Sequence, residues 1–271
     1  MPTQSLILRG EVNRRLTIAE MDGNFTYLES LAQSESSSQP NNQIPFGTGT
    51  ASGLTSSESF TYDYICSNLL ASPNSIITSD SCQSAIIGGC DNTICSNEGA
   101  VILGGYDNRI CCASDYSSII GGYSNDICND SRQSAIIGGR SNTVDGYSCN
   151  STVIGGDGNC ICGHDALLDS FYYGSCNSAI VGGCDNRIVC DSSNSAIVGG
   201  CENKVCSYSD YSTIVGGSEN CVENYSDNSS IMAGCCNIIS DSCNSAIIGG
   251  CYNTIQTNSC LSSIIGGCDN R

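Results

Sequence analysis

The sequence has almost none of the residues from which a conventional core or an active site is built. Its 271 residues include no tryptophan, four phenylalanines and a single histidine. Nine Lys and Arg stand against 27 Asp and Glu, which gives a formal net charge of −18. Nucleic acids and anionic membranes bind basic patches, so neither is expected as a partner. Because general bases are scarce, we expect no enzyme and no cofactor.

Long hydrophobic runs are also missing. No stretch approaches the ~18 apolar residues of a membrane-spanning helix, and no signal-peptide pattern opens the chain, so membrane insertion is not expected. Cysteine, in contrast, occurs 22 times, which is typical of oxidised, extracellular proteins. A virion component, made inside a host and exposed after release, satisfies both observations. We therefore expect a location on the virion surface or outside the cell.

A repeat of about 17 residues decides the fold, and it runs from residue 68 to residue 271. The unit reads S-A-I-I-G-G-x-x-N-x-I and continues with polar residues and cysteines. Its two short runs of β-branched residues are separated by Gly, Asn and Ser, which leaves no room for a helix. A repeat of this kind indicates stacked units. The sequence therefore predicts an all-β fold, a parallel β-solenoid (β-roll) of about twelve repeats.

The first run of each unit carries two adjacent aliphatic residues. Neighbouring side chains on a strand point to opposite faces, so both faces of this strand should be buried. One face can fill the interior of the repeat, and identical chains around a common axis can cover the other. We therefore predict a homotrimer. The residues assigned to its core and interface are Ile86, Ile87, Ile136, Ile137, Ile197, Val198, Ile247 and Ile248.

An asparagine recurs four residues after the first glycine of each unit. Asparagine tolerates the left-handed backbone region, and its amide can bond to the same group in the repeats above and below. We therefore predict an asparagine ladder rather than a set of ligands. Its members are Asn92, Asn108, Asn125, Asn142, Asn159, Asn186, Asn203, Asn220, Asn237, Asn253 and Asn270.

The chain is predicted to have three parts. Residues 1–33 form an N-terminal anchor, in which Thr17 and Glu20 make a capping box at the start of a short helix. The apolar spacing of this helix fits a coiled coil, and packing of one amphipathic helix on a neighbour is the alternative. Residues 34–67 form a linker or collar with one short strand, and residues 68–271 form the solenoid.

One step of the repeat is ten residues longer than the others, because of an insertion at about residues 163–175. The insertion is the only aromatic-rich interruption of the repeat. Folding of its hydrophobic residues back onto the rod is the favoured interpretation, and a recognition loop for a host receptor or glycan is the alternative. The residues concerned are Leu167, Leu168, Phe171, Tyr172 and Tyr173.

The cysteines fall into columns along the repeat. Cysteines stacked in one column are ~4.8 Å apart at Cα, which lies within the range that disulfides allow. Buried free thiols are the alternative. The disulfide candidates are Cys184, Cys201, Cys251 and Cys268 in one column, and Cys162 with Cys176, which would close the insertion. Cys160, Cys162, His164 and Cys176 could also hold zinc, but loop closure explains them more simply, so no metal is expected.

Two stretches, Asn177–Gly183 and Asn244–Gly250, read N-S-A-I-[VI]-G-G and resemble the head repeats of trimeric autotransporter adhesins. Leu16–Phe25 and Phe46–Gly49 resemble the N-terminal segments of viral and phage tail-fibre proteins. The resemblance implies a trimeric virion fibre that is attached to the particle base by its N-terminal segment. The unit here is longer and richer in cysteine than in that family. The alternative is a secreted or cell-surface trimeric adhesin, or an extracellular filament subunit of a microbe.

Overall fold

The structure, a computed structural model, describes residues 66–163 and 174–271 and the strand residues 46–47, 54–55 and 60–63. The helix predicted within residues 1–33, His164 and the aromatic residues of the insertion lie outside the described residues. The chain divides into two units, Met1–Glu58 and Ser59–Arg271. In the first unit, strand β1 (Phe46–Gly47) pairs with strand β2 (Leu54–Thr55) in antiparallel orientation.

The second unit is a parallel β-solenoid of about eleven coils, in which each repeat of 17 residues is one coil. Each coil gives one short strand to each of two sheets. The first sheet contains β3 (Phe60–Asp63), β4 (Asn68–Ala71), β6 (Ala85–Ile87), β8 (Val101–Ile102), β10 (Ser118–Ile119), β12 (Ala135–Ile137), β14 (Thr152–Ile154), β16 (Ala179–Val181), β18 (Ala196–Val198), β20 (Thr213–Val215), β22 (Ser230–Met232), β24 (Ala246–Ile248) and β26 (Ser263–Ile265). The second sheet contains β5 (Ile76–Ile77), β7 (Thr93–Cys95), β9 (Arg109–Cys111), β11 (Asp126–Ile127), β13 (Thr143–Asp145), β15 (Cys160–Cys162), β17 (Arg187–Val189), β19 (Lys204–Val205), β21 (Cys221–Glu223), β23 (Ile238–Ser240) and β25 (Thr254–Ile255). The predicted all-β solenoid is confirmed.

Equivalent residues of successive coils lie side by side. Ile136, for example, pairs in parallel register with Ile119 of the coil before and with Val153 of the coil after. The register continues across the insertion, because Val153 pairs directly with Ile180. Within the two sheets of the second unit, only β3 runs antiparallel to its neighbour, β4. The insertion therefore leaves the stacking of the coils unchanged.

The core lies inside the coils. The middle residue of each three-residue strand points inward, and Ile136 on β12 and Val144 on β13 are completely buried. Two inward rows of Ile and Val, one from each sheet, thus face each other along the solenoid. Full burial of one such side chain contributes roughly 1.5–3 kcal/mol, so these rows supply the main apolar stabilisation of the fold.

The two glycines that end each first-sheet strand have different roles, as Gly155 and Gly156 show. Both have positive φ, 65° and 86°. A Cβ on Gly155 would meet no atom within 4 Å, whereas a Cβ on Gly156 would collide with the carbonyl oxygen of Gly183 and the amide of Asn159. In one coil Ala233 occupies the first position, with a φ of 63°. The second glycine therefore permits the close approach of adjacent coils, and the first provides only the backbone conformation.

Besides the two glycines, the residue of this turn with positive φ is the one before the asparagine and not the asparagine itself, which corrects the sequence-based interpretation. Asp185 and Glu202 precede Asn186 and Asn203 and have φ values of 53° and 56°. The asparagines themselves do not have positive φ. Their recurrence therefore has to be explained by their hydrogen bonds.

Candidate functional site: the outer surfaces of the solenoid

The asparagines form a continuous hydrogen-bonded ladder inside the coils. Asn142 Nδ2 donates to Asn125 Oδ1 at 3.2 Å, to Gly138 O at 3.3 Å and to Gly156 O at 3.2 Å. The Oδ1 atom of Asn142 accepts the backbone N–H of Asn159 at 3.1 Å. Asn142 is completely buried, and all of its side-chain polar atoms are bonded. These groups have no free capacity to bind a ligand, so their role is structural.

Two buried columns of serine, which the sequence analysis did not identify, continue this polar interior. The backbone N–H of Ser134 donates to Ser117 Oγ at 3.1 Å, and Ser134 Oγ donates to Ser148 O at 3.0 Å in the next coil. In the second column, the N–H of Ser148 donates to Ser131 Oγ at 3.2 Å. Both columns cap backbone groups that the turns leave unpaired. The signal was a serine at two fixed places in nearly every unit.

The outer face of the first sheet presents a continuous row of exposed aliphatic side chains, which we call the aliphatic stripe. On β12, Ile136 is 0% exposed, whereas its neighbour Ile137 is 41% exposed. The same alternation recurs in eleven coils, and the last stripe residue, Ile265, is 78% exposed. The stripe consists of Ile87, Leu103, Ile120, Ile137, Ile154, Val181, Val198, Val215, Met232, Ile248 and Ile265.

The rest of this outer face is small and uncharged. Two residues before each stripe residue, the other outward position of the strand holds Ala, Ser or Thr in all coils but one, where it holds Val101. No Asp, Glu, Lys or Arg occurs at either outward position of these eleven strands, although the chain has 36 such residues, 27 acidic and nine basic. At ~4.8 Å per coil the uncharged face is about 50 Å long. A face of this kind is suited to packing against another apolar surface.

The outer face of the second sheet differs from coil to coil. It carries threonine at Thr93, an ion pair between Arg109 and Asp126, and the cysteines Cys160 and Cys162. Among the described residues no helix is long and apolar enough to cross a membrane. The varied face offers polar and thiol chemistry at individual positions, whereas the first sheet offers one repeated apolar contact.

Stacked cysteines come close together in several columns. The sulfurs of Cys184 and Cys201 are 3.2 Å apart. Those of Cys251 and Cys268 are 3.1 Å apart, so the structure brings together the partners of both predicted column pairs as thiols. Two disulfides are formed in the described part of the chain, and neither is among the candidate pairs named from the sequence, although Cys95 and Cys111 occupy the same place in adjacent units. They join Cys66 to Cys82 and Cys95 to Cys111, with Cα separations of 4.4 and 4.7 Å.

The predicted bond between Cys162 and Cys176 is not formed. The sulfur of Cys162 lies 2.8 Å from that of Cys160, while the sulfur of Cys176 accepts the backbone N–H of Cys149 at 3.2 Å. Cys162 and Cys176 are both free thiols. The zinc set weighed from the sequence is not assembled either: Cys176 contacts the preceding coil, and His164 lies outside the described residues. Cys162 and Cys176 do not meet because, in the stacked coils, the sulfur of each contacts a nearer residue of its own coil or of the adjacent coil.

The thiols of each pair are hydrogen-bonded to each other, and these bonds shift their pKa values. The hydrogen bond with Cys201, together with Asp185, raises the pKa of Cys184 to about 12. The hydrogen bond to Cys162 and burial raise the pKa of Cys160 above its usual range, and the same bond lowers that of Cys162. Because the thiolate is the reactive species, Cys184 is held in its unreactive form at neutral pH.

No family model and no curated sequence matches this chain. The resemblance to fibre proteins therefore rests on the residues of the repeat unit and of the N-terminal segments. The solenoid fold is compatible with that resemblance, but a solenoid also occurs in proteins of other function.

Proposed function

We propose that this chain is a structural fibre protein, a rod that assembles with identical copies along the aliphatic stripe and forms part of a virion tail or surface fibre. The single observation that carries the proposal is the stripe: aliphatic residues occupy one outward position in eleven consecutive coils and remain exposed in the isolated chain. Parallel sheets are normally covered on both faces, which supports the presence of a partner on this one.

Identical copies are the partner that fits this face best. The stripe repeats at the spacing of the coils, so a parallel copy around a common axis presents an equivalent side chain at every level. Copies with a net charge of −18 repel one another, and contact is favourable only where charge is absent. The outer face of the first sheet meets that condition over its whole length. Three copies around a threefold axis would bury their stripes in a common core.

The cysteine pairs support a location outside the cell. Two disulfides link adjacent coils, as expected for a protein exposed to an oxidising environment, and two further thiol pairs on adjacent coils are close enough for oxidation to join them. A virion surface provides that environment after particle release. The same observation favours the alternative, a secreted or cell-surface adhesin, and a secretion signal in the gene would select it. In both cases specific recognition of a host surface belongs to the parts that interrupt the repeat.

The test is the mass of the assembly in solution. We expect the wild-type chain to be trimeric by light scattering, and the double variant Ile137→Asp/Ile154→Asp to be a folded monomer with an unchanged β-sheet circular dichroism spectrum. Each carboxylate would have to be desolvated in the interface, which is costly. The matched control is Thr93→Asp/Thr254→Asp, which adds the same two charges to half-buried outward positions of the second sheet.

The control should remain trimeric. A wild-type chain that is a stable monomer at micromolar concentration contradicts self-assembly along the stripe. A trimer that survives in the Ile137→Asp/Ile154→Asp variant but is lost in the control places the interface on the second sheet instead.

A further inference from the structure

A group of three potential metal ligands lies on the outer face of the second sheet, on two adjacent coils. Val205 of β19 pairs with Val222 of β21 in parallel register, and both valines are completely buried. Side chains alternate along a strand, so the residues that flank these valines point outward. Cys206 therefore lies beside Glu223, and Cys221 lies on the other side of Val222.

The side chains converge as well as the backbone positions. The sulfurs of Cys206 and Cys221 and a carboxylate oxygen of Glu223 all lie within 4.8 Å of one another. A tetrahedral zinc, with Zn–S about 2.3 Å and Zn–O about 2.1 Å, separates its ligands by about 3.6–3.8 Å. Side-chain rotations that move the ligand atoms by about 1 Å are enough to bring them to these separations. In the described part of the chain, no other three His, Cys, Asp or Glu side chains meet this condition.

We propose that Cys206, Cys221 and Glu223 bind one zinc ion, which links the two adjacent coils. Two thiolates and one carboxylate suit zinc and exclude calcium and magnesium, which require oxygen ligands throughout. Three protein ligands leave the fourth position to a water molecule.

The residues around the three ligands favour zinc binding. Cys206 is 2% exposed, so one face of the site is closed by protein, while Cys221 and Glu223 are half-buried and leave an entry path. Lys204 is the register partner of Cys221, and Arg187 is the register partner of Lys204. These two cations offset the negative charge that remains when two thiolates and a carboxylate surround a divalent ion.

The site differs from the other close thiol pairs of the described residues because its carboxylate oxygen lies within 4.8 Å of both sulfurs. Cys184 and Cys201, for example, have sulfurs 3.2 Å apart, but no third ligand of suitable geometry joins them. A disulfide between Cys206 and Cys221 is the competing use of the same sulfurs, and it would remove both ligands. The site and the assembly along the stripe lie on different faces, so this proposal stands independently of the proposed function.

The experiment measures zinc bound by the full chain, purified under mild reduction and dialysed against a zinc-buffered solution, together with the thiolate-to-cobalt absorption after Co²⁺ loading. We expect Cys206→Ser to lose one equivalent of zinc and part of the cobalt band. Changes outside the ligands alone typically weaken metal binding about 10–100-fold, so loss of the carboxylate in Glu223→Gln should weaken it by about 100-fold or more.

The matched controls are Cys112→Ser, an exposed free cysteine of another coil, and Glu202→Gln, an exposed carboxylate two residues before β19. Both should keep the zinc content and cobalt spectrum of the wild type. Equal zinc content in wild type and Cys206→Ser overturns the proposal. So does recovery of a Cys206–Cys221 disulfide as the main species from chain that was never reduced.

Discussion

The inside and the outside of the coils follow different rules, although they alternate along the same strands. Inside, nearly every coil carries the same two serines, two aliphatic residues and one asparagine, all buried. Outside, the second sheet changes from Thr93 to Arg109 to Asp126 in three successive coils. Uniformity inside is required because each side chain packs on its own copies above and below. Outside, the fold makes no such demand.

The aliphatic stripe is the exception to this rule. It is outside, yet it is as uniform as the interior. Filling the interior of the coils does not require this uniformity, and this is the strongest support for the proposed assembly through the first sheet. The comparison also shows where chemistry confined to one place belongs: on the varied outer face, where the combination of Cys206, Cys221 and Glu223 occurs once among the described coils.

The largest expected effect tests the difference between inward and outward positions directly, by placing a negative charge at one inward and one outward position of the same strand. Ile136→Asp should abolish folding, because it removes a buried side chain, at a cost of about 2–5 kcal/mol, and buries a carboxylate without a partner. Ile137→Asp, one residue away, should keep the β-sheet circular dichroism signal and resistance to proteolysis.

Ile136→Val serves as the control and should cost only about 0.5–1.5 kcal/mol. If Ile136→Asp and Ile137→Asp were equally well folded, or equally unfolded, the division into inner and outer rows would be wrong.

A smaller difference, in the free energy of unfolding, is expected between variants of the two glycines of one turn. Gly156→Ala should destabilise the fold by about 2–5 kcal/mol, because positive φ adds about 1–2 kcal/mol and the collision with the next coil adds about 1–3 kcal/mol. Gly155→Ala should show only the first of these penalties, because no atom occupies the space of its Cβ. Chemical denaturation of the two variants gives the difference, and equal values would mean that adjacent coils do not approach most closely at the second glycine.

The repeat made much of this architecture predictable. Two short aliphatic runs and a glycine pair at fixed spacing define two parallel sheets, and the structure contains both. The direction of the paired aliphatic residues could not be predicted, because Ile136 and Ile137 are equally apolar and alternation alone does not say which is inside. The serine columns were missed because serine is common in turns, and its burial here follows from stacking.

The candidate sites were predicted less well than the fold. Column spacing indicated that Cys184 could meet Cys201, since both occupy the same place in adjacent coils. The group around Cys206 joins different positions of two coils, and such diagonal contacts depend on side-chain rotamers that no spacing rule contains. The left-handed residue before each asparagine had no sequence signal, because Asp, Ser, Glu, Cys, Gly and Tyr all occur there.

The smallest effect is expected at the ion pair on the varied outer face. Arg109 Nε donates to Asp126 Oδ1 at 3.1 Å across β9 and β11, and the arginine side chain is 55% exposed. Exposed ion pairs are worth about 0.2–1 kcal/mol, so a double-mutant cycle with Arg109→Gln and Asp126→Asn should give a coupling free energy below about 1 kcal/mol. High salt should reduce it further by screening. A coupling free energy of several kcal/mol that persists in high salt would show that the outer residues of the second sheet help to hold the coils together, and the contrast between a uniform inside and a permissive outside would then fail on this face.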